Sequence, residues 1–402
     1  MTPVPSAAAA NARITALAAD RTLHRAFAWL HLHEPQLRRW QLEFLAIPAP
    51  PFQEAERAAW FLLRFQELGL SDAHIDEEGN VLAELTSVAQ DSDGVVLLSA
   101  HLDTVFPAGT SCTPREDGPT ILGPGACDNG AGLAALLGLA AALRHSGMTP
   151  PRTILFCANV GEEGPGDLRG MRSLFQTGRY TNKIRAAVAL EGSGTATVVD
   201  RALGSRRLRV TLTGPGGHSW ADAGRPNPIL GLATALVAIA KLKMPANPRT
   251  TLNYGMISGG TSVNSIPESA SADLDLRSTS SLELDRIELA VLHTLGSAVK
   301  SDGLQLHVKR IGERPAAALA QNSALAVSLR AVDRHLNLTT DLRVGSTDAN
   351  LPLSLNIPAL AIGAGGTGWG MHTLQEGYDP TGRDLALRRV LLLLLDICGN
   401  AS

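Results

Sequence analysis

Four short apolar runs in this chain each give way, within a few residues, to an acid or an imidazole. That recurrence constrains the fold more than any other feature. Residues 95–98 lead to His101 and Asp103, 153–156 to Glu162 and Glu163, 186–190 to Glu191, and 358–362 to a glycine-rich loop and His372. Runs this short, with no polar alternation, read as strands buried on both faces. Between the first two runs lies 131–143, almost entirely Ala, Leu and Gly, which reads as a buried helix. Strand, helix and strand at these lengths predict an α/β fold with a mostly parallel, mixed sheet flanked by helices. Ligand sites in such sheets lie beyond the carboxyl ends of the strands, where all six polar residues fall.

Residues 204–314 follow another pattern: strand (208–212), helix (228–242), strand (251–257), strand (270–276), helix (282–299) and strand (304–308). The order βαββαβ is that of a ferredoxin-like α+β unit. It closes on itself, so it reads as an inserted domain between 1–203 and 315–402. A chain of 402 residues is too long for one ordinary core, which agrees with two domains. Residues 10–72 carry helical periodicity, broken at IPAPPF.

Charge narrows the partners. A formal net charge of -3 offers no basic excess for nucleic acid or an anionic membrane. The one basic cluster, Arg206, Arg207 and Arg209, reads as a solvated strand face. The aliphatic block 390–395 stops at Asp396, far short of the roughly 20 residues of a membrane span. It reads as a buried C-terminal helix. MTPVPSAAAANARI lacks the charged-then-apolar order of a secretory leader, and the four cysteines form no C-x-x-C pair. A reducing, cytoplasmic setting is expected.

A fifth contribution to the strand edge comes from GPGACDNGAG, whose Asp128 sits just before the Ala/Leu helix. Singly, these residues have bland readings: an Asp before a helix as an N-cap, a His at a strand end as merely hydrogen-bonded, a Glu pair as surface. Together, two His and several carboxylates after buried strands point to a metal centre. Nitrogen and oxygen donors without a useful thiolate suit zinc, with manganese or cobalt as alternatives. Asp103, Asp128, Glu162, Glu163 and Glu191 in one cleft would repel one another strongly without cations, and two divalent ions would neutralise them.

SAHLDTVFP, GPGACDNGAG, NVGEEGPG, ALEG and GMHT resemble the five metal-site motifs of the M20 family of metallopeptidases. GGHSWADAG, VNSIPE, IGERPA and GSTDAN resemble segments of its peptidase T-like (tripeptide aminopeptidase-like) members, and the similarity runs from about Pro48 to His372 in the family's order. The resemblance implies a zinc-exopeptidase-like catalytic domain with a lid and dimerisation domain at 204–314. It implies that His101 binds one metal and His372 the other, that Asp128 bridges, and that Glu163 and Glu191 complete the two sites. Asp103 would orient His101 through its second ring nitrogen, and Glu162 would be the general base. His218 would donate to the oxyanion, from the neighbouring subunit in dimeric members, and Asn264 and Arg277 would hold substrate. The implied substrate is a short peptide. N-acyl-amino-acid amidohydrolase or carboxypeptidase action is the runner-up. Asn129-Gly130 after the bridging Asp128 departs from many relatives and bears on substrate contacts. An apolar stripe at Ile229, Leu230, Leu232 and Leu236 suggests a homodimer through the inserted domain.

Other readings fit less well. GAGGTG, residues 363–368, has the spacing of a dinucleotide loop, but no long apolar helix follows it; its glycines are expected to bring backbone close to metals and substrate. No G-x-S-x-G occurs, and His33-Glu34 has no second His at metalloprotease spacing. Cys127 reads as a small buried filler rather than a nucleophile. A catalytically inactive metal-bound scaffold would be expected to have lost Glu162, which is present.

Overall fold

The computed structural model describes residues 6–87, 94–299 and 303–400. Residues 1–5, part of the stretch read for a leader, and 300–302, within the predicted insertion, lie outside them. The chain divides into two compact units, Met1–Arg201 with Ala318–Ser402, and Ala202–Ala317.

The first unit opens with three helices, α1 (Ala7–Ala18), α2 (Arg21–Leu32) and α3 (Glu34–Leu45), and resumes after the proline break with α4 (Ala55–Glu67). Its main sheet is built around four parallel strands: β3 (Val95–His101), β6 (Ile154–Asn159), β7 (Ile184–Leu190) and β17 (Ala359–Ile362). They lie in the order β6-β3-β7-β17. Antiparallel strands extend both edges, β2 (Val81–Leu85) and β1 (Ser71–Ile75) beside β6, and β8 (Thr197–Ala202) beside β17. The minor edge strands are β15 (Ala317–Ala318) and β16 (Asp341–Gly345).

β3 and β6 are buried along their whole length, because helices cover them on both sides. One of these is α5 (Gly130–Ser146), packed between the sheet and helices α2 and α3. A helix enclosed on every side has no use for a polar face, which is why its sequence is Ala, Leu and Gly throughout. The short α6 (Arg169–Arg172) follows β6. A small antiparallel sheet stands apart in the same unit, in the order β18 (Thr367–Trp369), β19 (Gly377–Asp379), β5 (Thr120–Leu122), β4 (Arg115–Asp117).

The second unit holds the βαββαβ order. Its strands β9 (Gly204–Thr213), β11 (Thr250–Gly259), β13 (Ser269–Ser278) and β14 (Gln305–Arg314) form an antiparallel sheet in the order β11-β13-β9-β14. Helices α7 (Pro228–Ile239) and α8 (Ser281–Ala298) cover one face. Leu208, Val210, Leu212, Leu274 and Leu276 meet Leu232, Ile239, Leu284, Val291 and Leu295 in that core. A two-stranded ribbon, β10 (Gly217–His218) with β12 (Ser265–Ile266), extends from the Thr213 and Ser269 ends of β9 and β13.

The basic cluster on β9 is a solvated face only in part: Arg207 and Arg209 lie on it and Arg206 does not. β9 is an interior strand, and its alternation splits the arginines. Arg206 turns to the helix side, buried among Asp285 (3.1 Å), Glu313 (3.2 Å) and Glu288 (3.4 Å). Arg209 turns to the open side and pairs with Asp273 through two hydrogen bonds of 2.7 and 2.6 Å.

Returning to the first unit, the chain adds α9 (Ala324–Leu336), α10 (Asn350–Ser354) and the C-terminal α11 (Arg383–Asn400). α11 is buried from Val390 to Cys398. Among the described residues no helix is long and apolar enough to cross a membrane.

Candidate metal centre

His101 is the last residue of β3 and is fully buried. Its Nδ1 donates to the backbone carbonyl of Asp103 at 3.0 Å. That bond fixes the tautomer, leaving Nε2 as the lone-pair nitrogen facing the cleft. Asp103, the residue expected to orient His101, thus meets it chiefly with its main chain. The Asp103 carboxylate stands 3.7 Å from Nδ1 and accepts instead from the N–H groups of Glu162 (3.0 Å) and Glu163 (2.7 Å). It thereby fixes the turn that carries both glutamates. Burial opposes its charge, but the His101 imidazole and those two N–H groups outweigh burial and hold its pKa below the ordinary value. Beneath this segment the buried Arg57 donates to the Leu102 carbonyl at 2.7 Å.

Asp128 lies in the loop before α5. The helix cap is its neighbour: Asn129 Oδ1 accepts from Gly132 N–H at 3.1 Å. Asp128 is thus released from the capping role that its position suggests. Asn129 also accepts from Gly192 N–H (3.1 Å) and donates to the Leu190 carbonyl (2.9 Å). One amide therefore ties the Asp128 loop to the end of β7, beside Glu191. The junction is tight enough that a Cβ on Gly132 would stand 2.2 Å from Asn129 Oδ1.

The imidazoles and carboxylates converge. His101 Nε2 stands 3.2 Å from Asp128 Oδ1 and 3.4 Å from Glu191. His372 Nε2 stands 3.1 Å from the other Asp128 oxygen, Oδ2, and 3.2 Å from Glu163. Asp128 thus faces one imidazole with each oxygen. Burial disfavours charge on His101, but the carboxylates of Asp103, Asp128 and Glu191 override it and raise its pKa well above the ordinary value. His372, with Asp128 and Glu163 as hydrogen-bond partners, is pushed up to about 10. Burial pushes Glu191 upward, whereas the two imidazoles outweigh burial and pull Asp128 down.

This donor set fits a divalent cation. His101, Asp128 and Glu163 offer ligand atoms that all lie within 4.8 Å of one another. His101 Nε2, Asp128 Oδ1 and Glu191 Oε2 are buried without a hydrogen bond. Buried polar atoms without partners are costly, and a cation would satisfy all three.

Residues 80–206 match Peptidase family M28, and residues 202–303 match the Peptidase dimerisation domain of M20 enzymes. The two matches together make the chain similar to metallopeptidases of the M28 and M20 type. A probable carboxypeptidase of Aspergillus clavatus is 30% identical over 202 residues, 45% of this chain and 44% of the relative. A probable carboxypeptidase of Paracoccidioides brasiliensis gives the same figures. The chain thus spans under half the length of these curated relatives. Among solved structures, aminopeptidase PepT of Bacillus cereus superposes with a TM-score of 0.70 at 22% identity, over 90% of this chain and 98% of that one. A Staphylococcus aureus tripeptidase gives 0.72 at 20%, over 91% and 99%. The di-peptidase Dug1p of Saccharomyces cerevisiae gives 0.74 at 15%, over 94% and 99%.

The M20 unit of 202–303 carries His218, Asn264 and Arg277. The β10–β12 ribbon brings the first two together: Ser219 N–H, next to His218, donates to the Asn264 carbonyl at 3.0 Å. His218 is exposed, and its Nδ1 accepts from the N–H groups of Trp220 (3.2 Å) and Ala221 (3.3 Å). In the neutral ring the proton therefore sits on Nε2, which is a donor. Arg277 lies near the opposite end of β13, its Nε bonded to Asp275 at 2.7 Å. Eight residues at about 3.3 Å each put it roughly 26 Å along the strand from Ser269, where the ribbon begins.

Two buried acids beside this centre escaped the sequence reading. Glu376 is buried and accepts from Gly125 (2.8 Å), Cys127 (2.9 Å) and Asp128 (2.8 Å), cradling the Asp128 loop. Burial pushes its carboxyl up to about 7 despite those three donors. Its position four residues after His372 is the only sequence signal it offers. Asp348, in GSTDAN, is buried and accepts from Asn159 at 2.8 Å, and burial lifts it to about 7. The glycines of GAGGTG have a different role from the one expected. Gly363 packs on the carbonyls of Ser193 and Gly194, and Gly365 on Arg383 of α11. Cys127 is a buried filler under Gly368, its thiol pushed up to about 12 by burial.

Proposed function

We propose that this chain is an M20-type hydrolase, a dinuclear metal-dependent exopeptidase of short peptides acting as a peptidase T-like aminopeptidase. The observation that carries the reading is Asp128, presenting one oxygen to His101 and the other to His372. Asp128 would bridge two ions, His101 and Glu191 completing one site and His372 and Glu163 the other. Zinc suits these donors, and manganese or cobalt could replace it. When bound, such ions lower the pKa of water and polarise a carbonyl.

The chain's own groups supply the rest. Glu162, on the turn held by Asp103, takes the proton of the attacking water and passes it to the leaving nitrogen. His218, with Nε2–H as its donor, stabilises the oxyanion. Asn264 and Arg277 hold the substrate, the guanidinium gripping a carboxylate. A tripeptide cannot reach both ends of β13, which supports a homodimer whose partner supplies His218 and Asn264. Four free, buried cysteines fit a reducing, cytoplasmic setting. Carboxypeptidase or N-acyl-amino-acid amidohydrolase action is the second reading, favoured by the names of the fungal relatives.

A panel of di- and tripeptides with free or blocked termini separates the two. Hydrolysis is expected to need a free amino end, to vanish with chelator and return with zinc. Glu162→Ala should lower kcat by at least about 100-fold with metal content unchanged. Activity indifferent to chelator overturns the mechanism.

A further inference from the structure

The small sheet β18-β19-β5-β4 builds a surface that the proposed chemistry does not use. Directly paired residues of antiparallel strands present their side chains on one face. The register therefore sets Arg115 beside Leu122, Leu122 beside Gly377, and Gly377 beside Trp369. Gly377 is required there: a Cβ would stand 2.4 Å from the Trp369 indole and 2.9 Å from Leu122. Trp369 thus lies across the glycine against Leu122. The result is a continuous apolar platform with a guanidinium at one end.

A cavity of about 900 Å³ in the first unit runs from this row to His372. Phe106, Pro107, Leu122 and Leu374 supply its apolar wall, and Arg115 and His372 its basic groups. No acid lines it. Among the described residues the Arg115 guanidinium makes no hydrogen bond or ion pair. Glu116, on the opposite face of β4, is taken by Arg38 at 2.6 Å, and Asp117 makes no ion pair with Arg115. Some of the protein's other surface arginines are matched. Arg209, Arg286 and Arg310 each bind a carboxylate. An unmatched guanidinium on the wall of an apolar cavity that opens at a proposed metal ligand has the chemistry of a carboxylate site.

We propose that this cavity is a substrate subsite for a carboxylate carried on an apolar stem, with Arg115 as its counter-ion and Phe106, Leu122 and Leu374 as its apolar wall. In a peptide substrate the natural source is an acidic side chain, glutamate above all. This assignment rests on the peptidase reading only in identifying the stem as part of a peptide.

The test compares the zinc-loaded wild type with Arg115→Gln on peptide pairs that differ only by Glu against Gln, each with a free or amidated C-terminus. The wild type should favour Glu over Gln by roughly 10- to 100-fold in kcat/KM, mostly through KM. Arg115→Gln should abolish that preference and leave the Gln peptides unchanged, which also shows that the variant is folded. If the loss follows the free C-terminus instead of the side chain, the carboxylate is the chain end and the side-chain assignment falls. An equal effect on acidic and neutral peptides, or none, overturns the subsite altogether. Should the wild type cleave no peptide, the peptidase reading fails separately. The subsite is then read by calorimetry with 4-methylpentanoate and 4-methylpentanamide. Arg115→Gln must weaken the acid and spare the amide, and unchanged affinity for the acid rejects the proposal.

Discussion

His372 and His101 carry the electrostatic state of the centre. An imidazole at about 10 in the folded, metal-free protein binds its proton more tightly than in the unfolded chain, where 6.5 is ordinary. Its stabilisation is therefore complete below about pH 6.5 and is lost as pH rises through 10. The chelated protein should accordingly lose thermal stability across that window. Metal ligation needs the free imidazole, so zinc binding at pH 8 should release at least one proton. Calorimetric titration in two buffers of different ionisation enthalpy measures this directly. Identical enthalpies in the two buffers would contradict a protonated resting pair.

At the scale of elements, the junction between the Asp128 loop, α5 and the end of β7 is held by Asn129. Its side chain makes three hydrogen bonds, two as acceptor and one as donor. Asn129→Ala would leave the Leu190 carbonyl and two N–H groups without partners, at about 1–3 kcal/mol for a buried group so stranded. The urea midpoint should fall with an unchanged slope, and zinc affinity should fall with it, because Asp128 and Glu191 flank the junction. An unchanged affinity would mean that the metal ligands hold their positions without this tie.

For the whole molecule, the question is what covers the second unit. Leu230 on α7 is 68% exposed, and Ile257 on the edge strand β11 is 69% exposed. Large apolar side chains grouped on an edge strand and its neighbouring helix are an aggregation liability unless another chain covers them. Leu230→Glu should shift a dimer to monomer in light scattering and, if His218 acts in trans, remove activity with it. Mixing inactive His218→Ala and Glu162→Ala proteins should restore part of the activity. Failure to complement between subunits that demonstrably exchange would place His218 in cis.

Much of this architecture was legible in the chain. Burial dictates composition, so uninterrupted apolar runs marked the parallel strands, and the residues just after them marked the site edge. The βαββαβ order of 204–314 was legible from periodicity alone. What could not be read were contacts closed by backbone groups far away in sequence. Glu376 reaches N–H groups some 250 positions back, and a lone glutamate in a loop carries no pattern that announces this. The orientation of Arg206 depended on β9 being interior, which pairing decides. The amino-acid order by itself determined which donors exist and which strands deliver them. Only the tertiary structure decided which oxygen of Asp128 meets which imidazole, and that Arg277 lies near the end of β13 opposite the ribbon that carries His218. Hydrogen-bond directions and strand register are set by packing between segments, which no single segment encodes.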